Sequence, residues 1–482
     1  MTRPTDPLET VALALERQSG VSDWQARKTT EHSAQLFLIG AQTETRRLVH
    51  TEQLQARIYN DHPSRTQMSI STYEPEEARA REPDGLKTRS LDDALAGSSQ
   101  MARGATSRVL LPEEVANQAR LQQALEEAVF IAGLTDNPPY SLPKPPIAGF
   151  PAVETVDLAL AGSDQARLSA LDILRERLLA AVAAEPGIRL SSAELFATAS
   201  DITLRNSRGI LASRQETEVF CDLVLLASDG TQTGEYHAMP QRRRLADLPL
   251  EEIVARSAHR ARDSLRVSLT PTHQGPVVIS GEALIDLFTP LIFHTSARAA
   301  YQAMSRFTPG TAICGDAQIR GDRLTFISNA LLSYGLASAS FSDEGIPGER
   351  VVLIQDHHLR AWWAEQRYAA YLNIPPTGSF ANIEIPPGSH PVHELLADEE
   401  PVYHLVDFSW LNPDELTGDF VAEIKLGYRL EQGQITPIKG GSLSGNLFEA
   451  LAQTRLSLEM QSTGSYLGPQ ALRFERLTIA GA

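Results

Sequence analysis

Only two of the 482 residues are cysteines, Cys221 and Cys314, and no Cys-x-x-Cys pair occurs. That excludes a disulfide framework and a thiolate-bound zinc ribbon, and it reads as a reduced, intracellular protein. Each thiol follows apolar neighbours (Val219-Phe220 and Ala312-Ile313), so both are expected to act as small buried hydrophobes. Long apolar runs are missing as well. None approaches the roughly 20 residues of a membrane span. The short apolar stretch at 11–15 follows Asp6, Pro7 and Glu9, unlike a secretion signal, so the expected compartment is the cytoplasm. Positive charge is scarce, with 43 Lys and Arg against 60 Asp and Glu and a formal net charge of -17. Such a field repels polyanions, so no nucleic-acid partner is expected. The one compact basic run, Arg242-Arg243-Arg244, reads as a solvated linker.

The common catalytic signatures are absent too. No Rossmann glycine pattern precedes a helix, and Lys439-Gly440-Gly441-Ser442 lacks the spacing of a phosphate loop. Gly441-Ser442-Leu443-Ser444-Gly445 carries Leu443 where a nucleophile elbow needs its nucleophile. In His390-Pro391-Val392-His393-Glu394 the Glu follows the second His, and Pro386, Pro387 and Pro391 oppose a helix. Two His one helical turn apart, with Glu between, would be needed for a zinc peptidase. These residues and His404 are read as surface histidines; a hydrolase built on them is the weakest reading. His357 and His358 are adjacent and point apart. Asp343-Glu344 and Asp398-Glu399-Glu400 read as solvated turns.

What is present is enough apolar material for a core, 42% of residues, and a length that suits two or three domains. Helical spacing appears at 8–17, with strands at 35–41 and 54–59. Residues 61–107, with Pro63, Pro75 and Pro83, read as a long polar surface excursion with at most one strand, near 68–73. A helix follows over 111–132, a proline-rich connector over 136–151, and a second helix over 163–184, capped at Ser163-Asp164. Strands are expected at 195–199, 202–206, 209–214 and 216–227, with Asn206-Ser207-Arg208-Gly209 as a hairpin turn. A connector at 229–244 and a helix at 249–265 precede a mostly β remainder. Helical exceptions there fall at 281–288, near 357–372 and at 447–454. The class is α+β: an N-terminal α+β domain over 1–235, then a β-rich, barrel-like C-terminal domain over 236–482.

The order of certain segments is informative. Residues 202–213 contain the strand, Asn-Ser-x-Gly turn and strand of one hairpin. Residues 276–288 run Pro-Val-Val-Ile-Ser-Gly-Glu-Ala-Leu-Ile-Asp-Leu-Phe. Phe341–Pro347 and the strand at 350–355 follow. Residues 417–446 hold Thr-Gly-Asp-Phe, then Gly427-Tyr428-Arg429-Leu430-Glu431-Gln432-Gly433, and finally Leu443-Ser444-Gly445-Asn446. In this order across 195–482, the chain resembles the TldD/PmbA family, once named modulators of DNA gyrase. The glycines at 418, 427, 433 and 445 suit short strands of a strongly curved sheet.

The resemblance implies a barrel-like C-terminal domain and a dimer around an inner cavity. In the family's metal-bearing, TldD-type members a helix carries His-Glu-x-x-x-His and a later Cys completes the site. Placed at 287–300 here, those positions fall on Thr289, Pro290 and His294, and residues 462–472 contain no cysteine. This is the pattern of the TldE/PmbA side, so no cofactor is expected in this chain and zinc only in a TldD-type partner. The implied role is a non-catalytic subunit, part of a peptidase only with that partner, acting on unfolded or short peptides. Thr417, Gly418, Asp419, Phe420, Gly445 and Asn446 are the candidates for shaping the peptide cavity, and His294 is expected to serve packing. The alternative is a homodimeric peptide-binding or scaffold protein without peptidase activity.

Overall fold

The computed structural model describes residues 6–63 and 101–482, which fall into two compact units. The first draws on Met1–Thr29, Glu52–Pro145 and Thr203–Ala212. Its helix Pro7–Arg17 starts where expected, with the Asp6 carboxylate accepting from the Leu8 amide. The helix expected over 111–132 is two, Pro112–Val115 and Gln118–Ala132. Asn117 divides them: its extended backbone stops the first turn, and its side chain caps the amides of Ala119 and Arg120. These helices bury Leu8, Val11, Leu15, Leu121 and Leu125 against Trp24, Leu54, Ile58 and Leu110.

The strands are longer than the alternation at 35–41 and 54–59 suggests: β1 is Asp23–Ile39, β2 is Gln42–Pro63 and β3 is Met101–Leu110. β2 and β3 pair antiparallel from Leu54 with Leu110 to Pro63 with Met101. Both ends of the 61–107 stretch are therefore sheet, not surface excursion, because Ala102 and Arg103 turn inward and are buried. Residues 68–73, where at most one strand is expected, lie outside the described residues.

The second unit comprises Thr30–Thr51, Pro146–Ile202 and Ser213–Ala482. The expected four strands after 194 are two, β4 (Ile188–Asn206) and β5 (Leu211–Ser228). Alternation continues through the polar residues that seemed to interrupt them. At the turn between them Gly209 has φ +96°, and Asn206 accepts from the amides of Arg208 and Ile210. The 229–244 connector contains β6 (Thr233–Ala238) and β7 (Gln241–Arg242), both paired with β5. Within this unit the sheet order is β2-β1-β4-β5-β6. Helices Asp164–Ala183 and Leu250–Asp263 cover it through Leu171, Leu174, Leu178, Ile253 and Val254.

The chain then forms two further sheets. One runs in the order β12 (His358–Leu359), β11 (Arg350–Gln355), β10 (Phe326–Asn329), β13 (Asn382–Glu384), β20 (Tyr466–Pro469), β19 (Met460–Thr463). The other runs β14 (Val402–Pro413), β9 (His273–Ser280), β21 (Ala471–Ala480), β17 (Ser442–Asn446), β15 (Asp419–Glu431), β16 (Gln434–Lys439), β8 (Ser268–Leu269), with β18 (Thr454–Leu456) on β21. Because β14 also pairs with β15, five of these strands close into a barrel. Its interior is filled by Val277, Ile279, Leu405, Phe420, Ala422, Ile424, Leu443 and Phe474. The fold is α+β. Among the described residues no helix is long and apolar enough to cross a membrane.

One polar network sits within the first unit. The Arg103 side chain is 5% exposed and the Asp23 side chain 3%. Arg103 donates to Asp23 at 2.9 Å, to both Asp61 oxygens at 2.7 and 2.9 Å, and to the Tyr140 carbonyl. Asp23 also accepts from Ser207 and Arg208 of the hairpin turn, each at 2.7 Å. Burial alone would raise the Asp23 carboxyl, but these hydrogen bonds and the Arg103 charge outweigh it and hold it below its usual range. Removing one member of such a buried pair strands the other. Asp23→Asn is expected to cost about 3 kcal/mol, read as a lower urea midpoint by Trp fluorescence. Asp23 stabilises the fold above its unfolded pKa, and that share is lost as pH falls through the depressed folded value. A midpoint equal to wild type at neutral pH would show the network to be dispensable.

Candidate functional site

The segment aligned with the family's metal motif is not one helix over 287–300. It is Thr289–His294 and Ala297–Tyr301, with Thr295 and Ser296 between them. The Thr295 hydroxyl bonds back to the Leu291 carbonyl at 2.7 Å, and Ser296 caps the Ala299 amide at 3.0 Å. Pro290 in the first turn helps start the helix and offers no carboxylate. His294 is fully buried. Its Nδ1 accepts from the Arg306 amide at 3.0 Å, which leaves Nε2 to donate to the Leu416 carbonyl, also at 3.0 Å. Both ring nitrogens are thus engaged by backbone, and the ring is boxed by Phe293, Phe307 and Phe448. A catalytic zinc does not fit this donor set: Thr289 is a poor ligand, Pro290 no base, and His294 has no free lone pair.

The Leu416 carbonyl ties this helix to the loop before β15. Thr417 accepts from Arg306 at 3.1 Å, and the Asp414 carboxylate receives the amides of Leu416 and Thr417. Across the ladder Asp419 pairs with Asn446 and Phe420 with Gly445. The six candidate residues therefore lie together, yet they differ in exposure. Thr417 and Asp419 are exposed, whereas Gly418 and Phe420 are buried. Asn446 donates to the Thr417 carbonyl at 2.9 Å and to Asp419 at 2.8 Å, and caps the helix Leu447–Leu451. Gly418 has φ +77°, and a Cβ there would meet Phe448 at 2.5 Å; one on Gly445 would meet Leu477 at 2.5 Å. Gly445 and Asn446 line a cavity of about 370 Å³ with Glu449, Gln453 and Arg476.

A larger cleft, about 710 Å³, lies in the same unit between helix Leu250–Asp263, β6 and β14. Its walls carry Arg242, Arg256, Arg260 and Lys425 facing Glu252, Glu282, Asp286 and Asp407, with Phe408, Trp410 and Met460 as apolar surface. Lys425 stands 3.4 Å from Asp407, and Arg260 donates to the Tyr236 hydroxyl. Recessed between these walls, the Asp407 carboxyl loses hydration and rises above its usual range despite Lys425. β14 pairs with β9 only over Tyr403–Leu405, so its continuation through Trp410 borders the cleft with that edge unpaired by any described strand. Paired charges, aromatic surface and an open strand edge suit an extended peptide.

Sequence reasoning missed this cleft, because its charges come from segments as far apart in the chain as Arg242 and Lys425. It also misread the arginine run. Arg243 is buried, donating to Glu216 at 3.0 Å and to the carbonyls of Gly335 and Leu336 at 3.2 and 2.5 Å, so this is no solvated linker. Asp398 is not simply solvated either: it accepts from the buried Arg473. His357 lies in the turn between β11 and β12 and is fully buried there, accepting from the Leu324 amide and donating to the Leu451 carbonyl. Cys221 and Cys314 are buried, which pushes their thiols up to about 12 and about 11. Among the described residues His390, His393 and His404 do not gather as a ligand set.

Burial also pushes the His404 imidazole, 2.8 Å from the Ser280 hydroxyl, down to about 4, and lowers those of His294 and His357. An unfolded histidine takes its proton near pH ~6.5. Between that pH and about 4 the unfolded chain binds more protons, so stability falls as pH drops through the window. His404→Gln is expected to flatten this dependence in denaturation midpoints measured across the window. An unchanged slope would assign the acid sensitivity elsewhere.

Residues 272–481 match the family model described as the PmbA/TldA metallopeptidase C-terminal domain. A protein of Methanocaldococcus jannaschii is 25% identical over 280 residues, 56% of this chain and 64% of that one. Metalloprotease PmbA of Escherichia coli O157:H7 is 25% identical over 247 residues, 50% of this chain and 54% of that one. The chain thus spans roughly half to two thirds of the length of these curated relatives. The crystal structure of TldE from Thermococcus kodakarensis shares the fold at TM-score 0.73 and 16% identity, covering 98% of this chain and 100% of that one. Together with the order of the barrel strands and helix segments, this match shows that residues 272–481 form a C-terminal domain of the TldD/PmbA family.

Proposed function

We propose that this chain is the metal-free member of a TldD/TldE-type peptidase pair, holding unfolded or short peptides for cleavage by a metal-bearing, TldD-type partner. The observation that carries this reading is the donor set at the motif helix. Thr289 and Pro290 stand where a ligand and a general base are needed, and both nitrogens of His294 are bonded to backbone. A zinc-bound water cannot be generated by these residues. The chain's contribution is then to bind and present. Its cleft offers cationic and anionic walls for the charged groups of a peptide, and the β14 edge near Trp410 offers backbone pairing. Thr417, Gly418, Asp419, Phe420, Gly445 and Asn446 support that role from the barrel end. The chemistry of hydrolysis belongs to the partner's zinc.

Co-expression with a paralogue bearing His-Glu-x-x-x-His is expected to yield a mixed dimer that cleaves unfolded peptides, with this chain alone inactive. Trp410→Ala in that dimer should raise KM severalfold while leaving kcat nearly unchanged, since it removes binding surface and no reacting group. A homodimer indifferent to the paralogue that still binds peptide would instead establish the peptide-binding or scaffold role. Neither complex nor cleavage nor peptide binding would overturn both.

A further inference from the structure

The buried face of β1 follows a simple alternation, with Ala34, Leu36 and Leu38 packed beneath the helix Asp164–Ala183. One step further along this line stands His32 where an apolar residue would continue the pattern. Beside it on β2 is His50, with the two rings in edge contact at 4.6 Å. His50 Nε2 in turn lies 3.0 Å from Asp164 Oδ2 at the start of the helix. One ligand atom from each of these three residues lies within 4.8 Å of the others, the only such group among the described residues.

We propose that His32, His50 and Asp164 form a binding site for a borderline divalent transition metal such as zinc, clipping the β1–β2 hairpin to the helix start. Two imidazoles and a carboxylate are the ligand types such ions take, with metal–ligand bonds of about 2.1 Å. Ligands of one ion then stand at most about 4.2 Å apart. The half-exposed His50 ring reaches that spacing by a modest side-chain rotation. Asp164 is already oriented for the task. Its other oxygen receives the buried Arg167 guanidinium, itself anchored on the carbonyls of Leu160 and Gly162 at 3.0 and 3.1 Å. A ligating carboxylate held by a second hydrogen bond is the usual support of a metal site. Arg167 and the helix N-terminus also place positive charge near the ion. The site is accordingly exchangeable, with three protein ligands and a position left for water.

The test is equilibrium dialysis of the untagged, chelator-treated full chain against zinc sulfate at neutral pH. One zinc per chain is expected, with affinity at least tenfold weaker in His32→Asn and in His50→Asn, and unchanged in His393→Ala. Cobalt(II) gives a reading on the wild-type chain alone, where tetrahedral d–d bands saturating at one equivalent are expected. Zinc binding unaffected by either substitution, or a cobalt spectrum that remains that of the hydrated ion, would overturn the assignment.

Discussion

Closure of β14 onto β15 is the constraint around which the second unit's C-terminal part is arranged. A sheet that ends in an open edge leaves backbone donors and acceptors without partners. Here the pairing from Val402 with Leu430 to Pro413 with Phe420 removes that edge and encloses the apolar interior. Closure demands tight curvature, and glycine permits it where side chains would collide. A Cβ on Gly427 would meet Leu405 at 2.6 Å, and one on Gly445 would come within 3.0 Å of Phe420. The absence of those atoms lets Leu405 and Phe420 fill the space instead. With the barrel closed, the loop before β15 is delivered to the helix of His294.

That delivery explains why His294 is a structural residue. A buried imidazole needs partners for both nitrogens, and the barrel supplies one through Leu416 while the chain after the helix supplies the other through Arg306. The same logic governs His357, which joins Leu324 to Leu451. Buried arginines do comparable work: Arg243 collects carbonyls from 335–336, and Arg473 those of Leu395 and Ala397. In each case a polar side chain satisfies backbone groups in loops or at helix ends, as at Leu395 and Leu451. What is left open is the part of β14 beyond Leu405, which borders the charged cleft.

Much of the local structure was legible from residue patterns. Ser163 caps its helix as read, through the Ala166 amide, and Gly209 supplies the positive φ of the hairpin turn. The helix over 250–263 and the α+β character follow from apolar spacing that tertiary contacts reinforce. Errors concentrated where a distant partner overrides a local cue. Asn117 broke a helix by capping the next one, and Arg103 was drawn inward by Asp23 and Asp61 across 80 and 42 residues. The six candidate cavity residues were found as a cluster through family resemblance. Their unequal exposure was not visible, because it depends on which face of β15 meets the barrel interior.

By itself the sequence determined the class, most of the principal helices and the Asn206–Gly209 hairpin turn, since each is a property of residue type and short-range spacing. Only the tertiary structure decided that β14 meets β15, that His294 spends both nitrogens on backbone, and that eight charged side chains surround one cleft. His294 and Leu416, for example, are 122 positions apart yet hydrogen-bonded, and the cleft gathers residues from Tyr236 to Gln470. Chain closure over that separation is set by packing of the whole unit, which no local pattern encodes.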